Sequence, residues 1–246
     1  MLFRDHICLG LDGPDLGKAQ GIARDFRACT TTVMVGPAFL MAHGPSGVRS
    51  LRELGVRDVV IDARLFGDQE DLWHSVVEVA KLGAQAVTIH PGVGPRVLSL
   101  AVEAARRSME VTNRVRPPLI IGAAMPLTIT NSDLCRCYGT RHVRKTYLAK
   151  HATLCCQNGA AAMITEPGEI PHVRKVCNGL PLMVPVKRRV YGYDEVLPDD
   201  ERSKPCVMEV LRKGAAHAIY NMEFAGRDAE WTAEMLNKEL LRLDDP

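Results

Sequence analysis

"RDVVIDARLFGDQEDLWHSVVEVAKLGAQAVTIH" (residues 57–90) holds two short apolar runs with a helical pattern between them. The runs, 57–63 and 84–90, are continuous rather than alternating, as parallel strands covered on both faces are. Between them Leu72, Val76, Val79 and Leu82 recur at helical spacing, and Gly83 supplies a stop. This is a strand–helix–strand unit, and it repeats outward in both directions. Further apolar runs fall at 6–12, 31–36, 117–123, 160–165, 180–186 and 215–221. Helical patterns follow in "PSGVRSLRELG" (45–55), "KPCVMEVLRKG" (204–214) and "GRDAEWTAEMLNKELLRL" (226–243).

Eight strands alternating with about eight helices predict a single parallel (β/α)8 barrel of the TIM type over 1–246, with a doubly wound open sheet as the alternative. At 246 residues the chain is long enough for one such domain. The longest stretches expected to be irregular, 124–140 and 187–204, follow strands five and seven. Barrel enzymes carry their binding loops after strand C-termini.

A net charge of +2 points to neither nucleic acid nor acidic membrane as partner. No apolar stretch reaches the ~18 residues of a membrane span, and "MLFRDHICLGLD" lacks the layout of a secretion signal, so the expected location is cytoplasmic. The eight cysteines include "CRC" (Cys135–Cys137) and "CC" (Cys155–Cys156) but lack the spacing of a zinc site. They are expected to be reduced thiols, buried or half-buried. No GxGxxG opens a helix after a strand and no HExxH occurs, so neither cofactor nor metal is expected.

The run ending at Ala63 carries charges at its end: Asp62, then Arg64, then Asp68. They read either as reacting groups at a barrel mouth or as a structural ion-pair network.

Taken in order, "LGLD" (9–12), "VMVGPAFLMAHGP" (33–45), "GVRDVVIDARLFGD" (55–68) and "LGAQAVTIHPGVG" (82–94) resemble the orotidine 5′-monophosphate decarboxylase family, closely over 7–98 and loosely from about 124 onward. The resemblance implies a (β/α)8 barrel, a homodimer with active sites at the interface, and a nucleotide-like or sugar-phosphate ligand. It places Asp12 at the ribose, His90 and Thr128 at the substrate, and Asp62, Arg64 and Asp68 at the catalytic charges.

The departures change the chemistry. Where the family has a lysine after strand two, this chain has Met34. Where it has Asp-x-Lys-x-x-Asp, this chain has Asp62, Arg64 and Gly67, with Asp68 one residue late. The phosphate loop Pro-Gly-x-Arg is replaced by "VPVKRR" (184–189), in which Lys187 and Arg188 either contact phosphate or form a solvated basic run. The Gly-Arg pair after strand eight is replaced by Asn221 and Met222. Sister enzymes bind magnesium through an acidic residue after strand two; Val33 and Met34 stand there. Two functional classes remain open: a carbon–carbon lyase with altered catalytic groups and little or no decarboxylation of orotidine 5′-monophosphate, or a catalytically inactive barrel kept for binding or structure. A displaced but working site, with Asp68 and Lys187 moved into place, is a third reading.

Overall fold

The computed structural model describes residues 5–123, 125–126, 128–139, 143–186, 204–221 and 229–241. Eight parallel strands close a barrel in chain order. They are β1 (Ile7–Leu11), β2 (Thr32–Val35), β3 (Asp58–Leu65), β4 (Ala86–Ile89), β5 (Leu119–Ala123), β6 (Ala162–Ile164), β7 (Leu182–Val186) and β8 (His217–Asn221). Among the described residues the α-helices are α1 (Leu16–Asp25), α2 (Pro37–Glu53), α3 (Gln69–Lys81), α4 (Pro95–Thr112), α5 (Asn131–Tyr138), α6 (Arg144–Gln157), α7 (Ile170–Val176), α8 (Val207–Arg212) and α9 (Ala229–Leu241). The expected (β/α)8 architecture is the observed one. β1, β2 and β4 are buried along their whole length, which is why their sequences do not alternate.

The chain forms two compact units, 1–62 with 183–246, and 63–182. In the first unit, β1 pairs with β2 and β8 (Gly10 opposite Met34 and Asn221), and β2 pairs with β3 (Met34 opposite Val60). Phe26 and Tyr220 stack beneath this sheet with ring centroids 6.3 Å apart. The Asp5 carboxylate accepts from the Thr31 N–H (2.6 Å) and from the hydroxyls of Thr30, Thr31 and Thr32, fastening the approach to β1 to the start of β2. α2 breaks at Gly44 (φ 51°, ψ −143°), where Pro45 follows and can supply no N–H to the helical ladder.

In the second unit, α3 and α4 bury Leu72, Val76, Val79, Leu98, Ala101 and Ala105. β4 pairs with β5, and β5 with β6. α6 packs on β5 through Cys155, whose Sγ fills the space a side chain on Gly122 would need; only glycine fits there.

Three expectations need correction. The stretch 124–140 is not wholly irregular: Thr130 and Asp133 form a reciprocal capping box (Asp133 N to Thr130 Oγ1 3.2 Å, Thr130 N to Asp133 Oδ2 2.8 Å) that nucleates α5. β3 runs past Ala63 to Leu65, so Arg64 belongs to the strand. The cysteines are not all reduced, nor all sheltered. Cys156, the penultimate residue of α6, is disulfide-bonded to Cys177, just past α7 (Cα–Cα 6.5 Å), while Cys135 and Cys137 are exposed. The pairing is invisible in the sequence because it depends on β6 returning the chain so that two helix ends meet.

Cross-linking positions 21 residues apart lowers the entropy of the unfolded chain by an amount worth about 3 kcal/mol. Reduction, or Cys156→Ser, should therefore lower the melting temperature by several degrees. Calorimetric scans with and without dithiothreitol check this, and identical melting would show that the bond contributes nothing.

Candidate functional site

In the first unit the strand ends bring Asp12 and Asn221 together. Asp12 directly follows β1, and its Oδ2 accepts from Asn221 Nδ2 at 2.6 Å. A cavity of about 50 Å³ is lined here by Gly10, Asp12, Gly13, Lys18, Ala19 and Asn221. The described residues thus enclose far less than the ~300 Å³ of an ordinary ligand pocket. Met34, near the end of β2, is 4% exposed, and its thioether brings neither charge nor N–H. Asp62 is half-buried. Burial, and then the negative fields of Asp62, Asp58, Asp12 and Asp5, push the Cys8 thiol well above its ordinary range. Four carboxylates thus act on the Cys8 thiol, and β2 itself carries no charged side chain.

In the second unit Arg64 has a left-handed backbone (φ 44°), unusual for a residue other than glycine. The conformation is held on both sides: Arg64 N donates to Thr88 Oγ1 (2.7 Å), and His90 N donates to Leu65 O (3.0 Å). Its side chain is exposed. Asp68 is the N-cap of α3, its Oδ1 accepting from the N–H groups of Glu70 and Asp71, both at 3.0 Å. A carboxylate one residue later than the family pattern thus does a helix-capping task.

His90 directly follows β4. Its Nδ1 accepts from Gly92 N (3.1 Å), so the neutral ring carries its proton on Nε2 and presents a donor. A side chain at position 92 would collide with this ring, which explains the glycine. Burial, and then the Arg64 charge, hold the His90 pKa below the usual imidazole value. The ring meets exposed Phe66 edge to face (5.8 Å) and His151 of α6 likewise (5.1 Å). Burial lowers the His151 pKa to about 4, with a smaller push from His90, and its buried Nδ1 has no hydrogen-bond partner among the described residues. Arg64 and His90 are thus neighbours through field and backbone, and both imidazoles are neutral at pH 7.

Thr128 is exposed in the segment between β5 and α5. Beside it lies a group that no sequence signal singles out. Arg144, first residue of α6, bonds Glu169 through Nε (2.8 Å) and the carbonyls of Pro126 (2.6 Å) and Met125 through its two Nη atoms. Thr165, at the end of β6, is buried and donates to the other oxygen of Glu169 (3.3 Å). A lone arginine opening a polar helix reads in sequence as a surface cation, yet its side chain is only 15% exposed. Lys187, Arg188, Arg189 and Met222 lie outside the described residues. Among those described, no group of three or more His, Cys, Asp or Glu side chains is placed to hold a metal ion, and no helix is long and apolar enough to cross a membrane.

Comparison with known proteins gives a consistent family. The profile described as "Orotidine 5'-phosphate decarboxylase / HUMPS family" matches residues 5–153. The orotidine 5′-phosphate decarboxylase of Moorella thermoacetica is 27% identical over 217 residues, 88% of this chain and 84% of that protein. The same-named enzyme of Paramagnetospirillum magneticum is 23% identical, over 90% of this chain and 95% of that one. In fold, an uncharacterized conserved protein from Geobacillus kaustophilus superposes with a TM-score of 0.77 at 18% identity, covering 95% of this chain and 99% of that one. Orotidine 5′-phosphate decarboxylase from Lactobacillus acidophilus gives 0.76 at 16% identity, covering 96% and 98%.

The His151 environment has a consequence for acid stability. Its folded pKa, about 4, lies below the ordinary 6.5, so the neutral ring stabilises the fold fully above about pH 6.5. That contribution, up to about 3 kcal/mol, is lost as pH falls from 6.5 toward 4. His151→Leu should unfold with a flatter pH dependence over that window. Urea titrations at pH 7.5 and 5 check this; an unchanged difference between the two pH values would contradict it.

Proposed function

The chain belongs to the orotidine 5′-phosphate decarboxylase / HUMPS family, and from that premise we propose that it is a divergent member. In this reading it receives a nucleotide-like or sugar-phosphate ligand at a carbon–carbon lyase-type site, with weak or no decarboxylation of orotidine 5′-monophosphate. The observation that carries the reading is Met34, buried and uncharged where the resemblance places a lysine.

Decarboxylation breaks the bond from C6 of the orotate ring to its carboxylate. The electron pair stays on C6 as a vinyl carbanion, which must take a proton. A lysine ammonium can give one; a guanidinium, which holds its proton far more tightly, cannot. Arg64 at the lysine position therefore supports charge stabilisation and orientation, not proton delivery. Met34 also brings no positive charge to draw in an anionic carboxylate. Each unit keeps polar, mild groups suited to a ligand: Asp12 in the first for a hydroxyl, and in the second the His90 Nε2–H for an oxygen and Thr128 for a ring edge. Lys187 and Arg188, immediately after β7 in the chain, supply the charged donors a phosphate needs.

A second reading, an inactive barrel kept as a binding or structural homodimer, is favoured by the tasks found for the carboxylates. Asp68 caps α3 and Asp12 holds Asn221, and both tasks persist without a substrate.

Purified protein should turn over orotidine 5′-monophosphate at least a thousandfold more slowly than the enzyme median of about 10 s⁻¹. Arg64→Lys alone should restore nothing, because position 34 would still lack its charge. Loss of orotate absorbance checks both, and turnover near the median would overturn the reading. For ligand binding, a thermal-shift panel of nucleotides and sugar phosphates should give at least one salt-sensitive stabiliser. Arg188→Ala should weaken it by about 1.5–3 kcal/mol, the range for a hydrogen bond to a charged group. Silence across the panel favours the structural barrel.

A further inference from the structure

We propose that Arg144 is a positioning residue: its guanidinium fixes the wall that follows β5, and with it Thr128, before any ligand arrives. The bearing on ligand rests on the reading above, in which Thr128 meets the substrate; the fixing of the wall does not.

The argument starts from what the segment lacks. Between Ala123 and the capping box at Thr130, the described residues share one backbone-to-backbone hydrogen bond, Ile129 N to Pro126 O (3.1 Å). Proline cannot donate at 126. The carbonyls of Met125 and Pro126 accept instead from the Nη atoms of Arg144, and that of Ile129 lies at 3.5 Å from Nη1. The Arg144 backbone N–H donates to Asn131 Oδ1 (2.7 Å), which joins the start of α6 to the start of α5. One residue therefore holds the segment at both ends.

The guanidinium is itself held. Its Nε bonds Glu169 at 2.8 Å, with side-chain exposures of 15% for Arg144 and 12% for Glu169. The second carboxylate oxygen of Glu169 accepts from Thr165 Oγ1 and Glu166 N, both at 3.3 Å. The end of β6 thus supports the arginine, and the arginine supports the segment after β5. Only a planar fork with several donors can meet a carboxylate on one edge and two carbonyls on the other. An ammonium is a point charge and cannot. Removing the fork strands a sheltered carboxylate and frees the carbonyls, so the segment should loosen while the barrel strands stay paired.

The test is hydrogen exchange on the full chain without ligand, in the parent, Arg144→Lys and Arg144→Ala, followed by calorimetry with uridine 5′-monophosphate. Exchange at Thr128–Asn131 should speed at least tenfold in Arg144→Ala and partly in Arg144→Lys, with β1 and β8 unchanged. Nucleotide affinity should fall at least tenfold in Arg144→Ala, partly recovered by millimolar guanidinium. If Arg144→Ala does not fold, Arg144→Lys, which keeps the charge beside Glu169, carries both readouts. Unchanged exchange at 128–131 overturns the proposal. Faster exchange with parental affinity also overturns it, because the segment is then a brace with no bearing on ligand. A parent that binds no uridine 5′-monophosphate counts against the ligand class proposed above, and exchange alone then decides whether Arg144 presets the wall.

Discussion

A parallel strand cannot reach its neighbour through a tight turn; a dozen or more residues must carry the chain back to the starting end. This constraint dictates most of what the molecule is. Among the described residues the returns carry helices, and strands such as β1, β2 and β4 are buried throughout and read as apolar runs. Polar and charged side chains are left to the strand ends and the helix starts. Asp12, Arg64, His90 and Thr165 all fall near the end of a strand or immediately after it, and Asp62 lies in the second half of β3. The same geometry gives these groups competing duties. A helix start presents bare N–H groups, and the nearest carboxylate is drawn to them: Asp15 accepts from Lys18 N at the head of α1, and Asp68 does the same for α3.

The fold was legible because it rests on periodicity, which is local. The runs at 57–63 and 84–90 with Leu72, Val76 and Val79 between them are an entire unit of the barrel in one stretch. What escaped the sequence was whatever depends on chain segments meeting. Cys156 and Cys177 look like unrelated thiols until β6 brings two helix ends together. Arg144 looks like a surface cation until the segment after β5 folds over it. His151 looks like one polar residue in a weakly amphipathic helix, yet it is buried against His90. In each case the partner is remote in sequence or its acceptor is a backbone carbonyl, which has no signature in residue type.

The family resemblance located strand-end positions well, since these are tied to the repeat. It said less about what replacement residues do. Arg64 occupies the place the resemblance gives to a lysine, but residue type alone reveals neither its left-handed backbone nor the hydrogen bond from its N–H to Thr88. The lowered pKa of His90 likewise comes from burial and then from the Arg64 charge, and neither His90 nor its neighbours reveal it by type alone.

The adjacent pair Cys155 and Cys156 shows how close packing can choose between chemically identical groups. Cys155 is buried over Gly122, and burial pushes its thiol up to about 12, so it stays protonated and a poor nucleophile at neutral pH. Its neighbour, one helical step round, is exposed and bonded to Cys177. Gly122 thereby keeps Cys155 seated and leaves Cys156 as the member of the pair joined to Cys177, although it contains no sulfur. A methyl group at 122 would evict Cys155 from its seat, return it to the pool of reactive thiols, and set two neighbours in competition for a single partner.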